Sequence, residues 1–285
     1  MMSAMSLIER LGLRRSGREW RGTCPACGYP AAFVLGVGKA GRVLGWCASC
    51  QDRGSIARAI YAATVAGLPK VSREQGTDAR LRQRNRAIAL WNGSGPVEDT
   101  RVVDYLNRRG LGFVIGSSAL RYRADISHPA GGGVYSAMIA LVADAAGMPM
   151  AVHRTYLAPD GRKADVDPVK ASLGPVWGGA IRLSPHDPDK PLVIGEGIET
   201  AASAGILFGW PAWSAVSCGN MGKGLVLPRE VRRVCIAADP GEPGRKAALE
   251  ARFRWKAEGR DVTIATPTGD GDFNDVLCRD MSHAG

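Results

Sequence analysis

The chain has 285 residues, enough for one large domain or two smaller ones, and its 45% apolar content is ample for a packed core. No uninterrupted apolar run approaches the roughly 20 residues of a membrane-spanning helix, which excludes an integral membrane helix. The net charge of +10 is uneven, because residues 1–150 hold 20 Lys+Arg against 10 Asp+Glu while residues 151–285 hold 17 of each. The basic N-terminal half therefore points to a polyanionic partner. Residues 1–21 show only short apolar patches broken by Glu9, Arg10, Arg14 and Arg15, which is not the pattern of a secretory signal, and a cytoplasmic location is expected.

Seven cysteines make an odd count, and four of them form two close pairs, a usage that favours metal over disulfides in a reducing compartment. Cys24-Pro25-Ala26-Cys27 and Cys47-Ala48-Ser49-Cys50 are CxxC knuckles. Four thiolates suit a tetrahedral structural Zn²⁺ with no coordination position left open. Between the knuckles, Ala32–Val37 and Arg42–Trp46 read as two strands joined by Gly38-Lys39-Ala40-Gly41, the hairpin of a zinc ribbon. Phe33, Lys39, Arg42 and Trp46 are candidates for stacking and phosphate contacts, with a place in the ribbon core left open for the two aromatics.

Past the ribbon, Ile56–Ala66 reads as a helix ended by Gly67 and Pro69, and residues 68–77 are polar, aperiodic and linker-like. Asp78 opens a second helix with Ile88, Leu90 and Trp91 on its core side and Arg80, Arg82, Arg84 and Arg86 on a solvated face. Thr100 caps a third helix, followed by Arg108-Arg109 as phosphate contacts and Gly110 as its C′ residue. Ala137–Val142 and Met150–Leu157 form a β-hairpin by pattern, placing His153 and Thr155 on one face and Arg154 on the other.

From Pro191 the pattern becomes regular β-α-β: strands at 192–194, 212–217, 232–238 and 261–265, helices near 199–208, 245–258 and from Asn274, and a helical turn near 225–230. Short connections of this kind imply a small parallel sheet covered by helices on both faces. Strand 192–194 runs into Glu196, strand 232–238 into Asp239, and strand 261–265 leads to Asp270, Asp272 and Asp275. Carboxyl ends of parallel strands share one edge, where ligand sites form. Carboxylates gathered there repel unless a cation such as Mg²⁺ joins them, so the pattern points to metal-assisted phosphoryl chemistry.

Gly195-Glu196-Gly197-Ile198-Glu199-Thr200-Ala201, Ala238-Asp239 through Gly244-Arg245-Lys246-Ala247-Ala248, and Asp272-Phe273-Asn274-Asp275 resemble the three blocks of a Toprim domain. With the four-Cys ribbon, Tyr105–Leu111 and Val152–Leu157, the chain resembles zinc-ribbon Toprim primases of phages and mobile elements, within the bacterial-type primase superfamily. The fold this implies is α/β: a Toprim (Rossmann-like parallel sheet) domain over 191–285, a mixed α+β N-subdomain over 78–190, a linker at 68–77, and a β zinc ribbon with flanking helix over 1–67. The resemblance implies Glu196, Asp239 and Asp272 as catalytic and Mg²⁺- or Mn²⁺-binding residues, with Asp270, Asp275 and Glu242 in reserve. It also implies Arg154, Lys163 and Lys170 as grips on template or triphosphate. Single-stranded DNA, ribonucleoside triphosphates and a separate replicative helicase are the implied partners.

One departure bears on activity. Where the family's second block reads Asp-x-Asp, this chain has Asp239-Pro240-Gly241, so one carboxylate is missing unless Glu242 substitutes. A DNA-binding accessory subunit with an impaired site and a Toprim nuclease therefore stand beside primer synthesis as alternatives. Gly219–Gly224 does not have phosphate-loop spacing and reads as a strand–helix connection.

Overall fold

A computed structural model describes residues 3–17, 19–26, 32–38, 43–47, 53–65, 73–129 and 133–283. Among these, the strands form three sheets.

The first sheet is antiparallel in the order β1 (Arg14–Ser16), β2 (Glu19–Gly22), β3 (Phe33–Val37), β4 (Val43–Cys47). Two of its strands match the expected hairpin, with Phe33 opposite Cys47. β1 and β2 carry no strand signal of their own: they are short and charged, and only pairing, of β2 with β3 and of β1 with β2, makes them strands. Helix α1 (Ala4–Arg10), N-capped by Ser3, and helix α2 (Arg53–Val65) close the core with Leu7, Ile8 and Ile56 against Phe33 and Leu35. Cys24 and Cys47 are buried in this same core; Cys27 and Cys50, like Lys39 and Arg42, lie outside the described residues.

The second sheet is antiparallel in the order β5 (Leu120–Ser127), β6 (Val134–Ala143), β7 (Pro149–Leu157), β8 (Lys170–Leu173). The expected hairpin is its centre, and the sheet extends beyond it on both sides. Helix α3 (Arg73–Asn92) covers one face with Ala87 and Trp91 against Ile139, Val152 and Tyr156. It begins at Arg73, inside the stretch read as linker. Its first turns carry almost no apolar residue, so periodicity could not show them. Helix α4 (Arg101–Arg108) covers the other face with Val102, Tyr105 and Leu106 against Met138 and Leu157, its N-cap Thr100 accepting the Val102 N–H at 3.2 Å as expected.

The third sheet has the order β13 (Asp261–Ala265), β12 (Arg233–Ala237), β10 (Leu192–Gly195), β11 (Ala212–Ser214), β9 (Ile181–Arg182). β10 to β13 are mutually parallel, and β9 joins antiparallel at the edge from before residue 191. Alternation along the strands sends Leu192, Ile194 and Ile236 to one side, against Ala247, Ala251 and Trp255 of helix α6 (Glu242–Ala257). Val193 and Cys235 face the other side, with Ala204 of helix α5 (Ile198–Phe208) and Phe273 of helix α7 (Phe273–His283).

The helical turn lies at Asn220–Gly224 rather than at 225–230. Buried Asn220 decides this, since its amide donates to Gly179 O at 2.9 Å and Ala215 O at 2.8 Å and accepts the Gly178 N–H at 2.8 Å. Ile198, Ala201 and Ala202 of α5 share one core with α4 and the second sheet, and Lys170 of β8 reaches Glu199 in the first turn of α5.

Candidate active site

The acidic edge is built by three strand-to-helix junctions. β10 ends at Gly195, where a Cβ would sit 2.6 Å from Ala201 N, so only glycine lets the strand pass this close under α5. Glu196 follows, its carbonyl accepting from Ser214 Oγ at 2.9 Å and its carboxylate accepting from the Cys218 thiol. Burial and that hydrogen bond push the Cys218 pKa up to about 12, so it stays a thiol. Asp239 follows β12 and accepts the Thr200 hydroxyl at 2.7 Å. Asp272 is the residue before α7, and its Oδ1 accepts the N–H groups of Asn274 at 2.8 Å and Asp275 at 3.0 Å. Asp275 returns the bond, accepting the Asp272 N–H at 2.9 Å in a reciprocal cap.

Glu196, Asp239 and Asp272 line one cavity of about 550 Å³ with Arg109, His153, Lys163, Lys170 and Glu199. Burial pushes the Asp239 pKa up, the Thr200 hydrogen bond opposes it, and the charges of Glu196 and Asp272 push it further up. A divalent cation relieves this kind of crowding. Among the described residues no three His, Cys, Asp or Glu side chains close into a ready-made cage. The donors are hard carboxylate oxygens, which fit Mg²⁺ or Mn²⁺ bound through one or two carboxylates with water completing the shell.

Opposite in charge, Lys163 and Lys170 each pair with Glu199 at 2.8 Å, and the Tyr105 hydroxyl donates to the same carboxylate. Burial alone would raise the Glu199 pKa, but Lys170 and Lys163 outweigh it and hold the group well below the usual carboxylate range. Glu199 had no assigned role in the sequence reading. Its partners lie 29 or more positions away, and no local spacing marks them. Arg109 is fixed by Asn274, whose Oδ1 accepts from Nη1 at 3.1 Å and whose Nδ2 donates to Arg109 O at 2.7 Å. His153 bonds Ser172 Oγ through Nδ1 at 3.0 Å, and burial with the charge of Lys170 holds its pKa at about 3, leaving the ring neutral near pH 7.

Several expected site residues stand elsewhere. Arg154 is on the α3 face, buried, donating to Ala171 O at 3.2 Å and Ser172 O at 3.3 Å, so it braces β7 on β8 and does not reach the cavity. Phe33 is wholly buried, its ring lying where a Cβ on Gly45 would be, so it is a core residue and no stacking platform. Asp275 caps α7, and Asp270 lines a smaller side cavity with Asp239 and Arg245. Arg108 is exposed.

Glu242 is exposed on the first turn of α6, outside the lining of the main cavity. Gly241 has φ 104° and ψ 160°, a conformation essentially restricted to glycine, and a Cβ there would meet only Pro243 Cδ at 3.9 Å. Space is available, but the backbone is hostile to a side chain. Gly241→Asp is therefore expected to destabilise the fold by about 1–3 kcal/mol, read from the denaturant midpoint, and not to restore a carboxylate cleanly.

A Toprim domain family model matches residues 191–282, and a family described as a domain of unknown function (DUF7146) matches residues 81–183. None of the curated proteins matches the chain. Among solved structures, the DnaG primase catalytic domain bound to ssDNA is similar at 14% identity and TM-score 0.49, over 73% of this chain and 78% of that one. A DNA primase domain from Pseudomonas aeruginosa is similar at 14% identity and TM-score 0.48, over 71% and 77%. The zinc-binding and RNA polymerase domains of Aquifex aeolicus primase are similar at 13% identity and TM-score 0.47, over 100% and 84%.

Proposed function

We propose that this chain is a primase, which joins ribonucleotides into short primers on single-stranded DNA by metal-assisted nucleotidyl transfer at the edge formed by Glu196, Asp239 and Asp272. The observation that carries this reading is one cavity holding three carboxylates at the ends of a Toprim domain's strands together with Lys163, Lys170 and Arg109. Carboxylates suit a divalent cation, cations suit a triphosphate, and the reaction needs both. When bound, Mg²⁺ or Mn²⁺ supplies neutralisation of the charge that builds up as a 3′-oxygen attacks an α-phosphorus and pyrophosphate leaves.

The chain's own residues do the rest. Thr200 orients Asp239, and the α7 cap leaves only Asp272 Oδ2 unoccupied by those backbone bonds. Glu199 holds two ammonium groups side by side against their mutual repulsion, so that both reach the cavity. Arg109 is locked by Asn274 to meet a further phosphate oxygen. Neutral His153 adds no charge and offers hydrogen bonding only.

The second reading, an accessory DNA-binding module working with a separate helicase, is favoured by Gly241, which leaves the second block without its second carboxylate and whose backbone geometry disfavours a side chain there. The separating experiment is incorporation of labelled ribonucleotides on a mixed-sequence single-stranded template with Mg²⁺ or Mn²⁺. Template-dependent product supports the primase. Its absence, with DNA binding retained, supports the module. Shortening of labelled DNA without added nucleotides would make the chain a nuclease.

Cys24, Cys27, Cys47 and Cys50 are proposed to hold structural Zn²⁺, on the strength of their spacing and of Cys24 and Cys47 sharing one buried core. Elemental analysis of purified protein is expected to find about one zinc per chain. A content well below that, or one unchanged in Cys47→Ser, would remove the site.

A further inference from the structure

We propose that the outward face of α6 is a binding track for a single-stranded polynucleotide, leading away from the acidic edge. It rests on the primase reading only for which strand it takes. The inner side of α6 packs Ala247, Ala248, Ala251 and Trp255 on the sheet. The outer side exposes Arg245, Leu249, Arg252, Phe253 and Lys256, with Lys246 beside them. Steps of three and four residues align these side chains in one stripe along the axis. From Arg245 to Lys256 the stripe is about 16 Å long, enough to follow several phosphates.

Phe253 is 81% exposed and Leu249 58% exposed, although Trp255 already fills the inner face. An apolar ring standing among four cations is costly to hydrate and has no core to serve. Single-stranded nucleic acid fits that combination, with phosphates on the cations and an unpaired base on the ring. A duplex keeps its bases stacked and would leave Phe253 unused.

Glu250 is turned to Lys223 at 3.7 Å, and Glu258 to Arg254 at 3.6 Å and Arg260 at 3.1 Å, while Glu242 is exposed in the first turn, at the N-terminal end of the stripe. Among the described residues, Arg245, Lys246, Arg252 and Lys256 make no ion pair. The N-terminal end of the stripe adjoins the site, because Arg245 lines the side cavity, which shares Asp239 with the main one. A strand on α6 is thus continuous with the reaction edge.

The test is fluorescence anisotropy on the full chain with labelled oligodeoxynucleotides and oligoribonucleotides of about 10 and about 30 nucleotides, beside a duplex, over a range of salt. Arg252→Glu with Lys256→Glu is expected to weaken the longer single strands at least about tenfold and to flatten the log affinity against log salt slope by about 1.4. Phe253→Ala is expected to weaken single strands about fivefold or more with the salt slope kept and duplex binding unchanged. The tighter of the deoxy and ribo strands identifies template or product as the occupant.

Wild-type affinity in both variants overturns the track. So does a changed oligomeric state by light scattering with strand affinity kept, which would make the face a protein interface. Photocrosslinking of an iodouracil-bearing strand to the wild-type chain needs no variant: adducts within residues 245–256 support the track, and adducts only elsewhere overturn it. Neither measurement involves synthesis. A chain that binds through α6 yet makes no product loses the primase reading alone, while one that makes product and binds regardless of α6 loses the track alone.

Discussion

Glu196→Gln is expected to reduce ribonucleotide incorporation by at least about a hundredfold while leaving the fold intact. The substitution keeps shape and removes one negative charge from the edge where Glu196, Asp239 and Asp272 line a common cavity. A carboxylate there would act by holding the divalent cation that neutralises charge on the reacting phosphate, and losing one preorganised electrostatic group of this kind typically costs about 10²–10³ in rate. The same change relieves repulsion on Asp239, so without added metal the melting temperature should stay equal or rise. With Mg²⁺ or Mn²⁺, the wild-type chain should gain thermal stability through ligand linkage and the variant should gain less. Two readouts moving in opposite directions distinguish a site residue from a structural one. Full incorporation by the variant would place the reaction elsewhere.

Glu199→Gln is expected to lower both stability and synthesis for a different reason. Glu199 is nearly buried, with Lys163 and Lys170 both 2.8 Å away and each with about a third of its side chain exposed. Removing the shared charge leaves two partly desolvated ammonium groups facing one another, at a cost of about 2–3 kcal/mol after allowing for their exposure to solvent. The folded-state pKa of Glu199 is depressed. Its stabilisation is therefore fully present above the ordinary carboxylate value, near pH 4.3, and is lost as pH falls from there toward the folded value. The gap in unfolding free energy between wild type and variant should accordingly be constant near pH 7 and shrink below about pH 4. Adding Lys170→Met to Glu199→Gln should recover part of the stability, because one of the two repelling charges is gone, without recovering synthesis. Recovery of both would reduce the lysine pair to a structural role.

Much of this architecture is written locally. β10 and β12 appear as short apolar runs with Glu196 and Asp239 immediately beyond them, and β13 as a run whose acid, Asp272, comes after a turn and just before α7, so each acid lies in the connection that follows its own strand. The Thr100 cap and the alternation that puts Arg154 opposite His153 and Thr155 are readable for the same reason. Short-range patterns failed where pairing creates the element. β1, β2 and β8 have too few alternating apolar residues to be seen before their neighbours are in place, whereas β5 alternates Leu120, Tyr122, Ala124 and Ile126 with polar residues and is legible by its own pattern. The start of α3 looked like linker because its stability comes from the packing of Ala87 and Trp91 further along.

The cavity divides in the same way. Composition and order along the chain were enough to assemble Glu196, Asp239 and Asp272, since parallel strands end together whatever else the fold does. Alternation told which residues share a face, but not which face would meet the site; packing under α3 took Arg154 away from it, and the core shared with α5 brought Lys163 and Lys170 to Glu199. The sequence by itself determined the acidic edge, because that edge is a property of each strand's own end. Only the tertiary structure decided its cationic counterpart, because an ion pair between β8 and α5 exists only where two layers distant in sequence close on a common core.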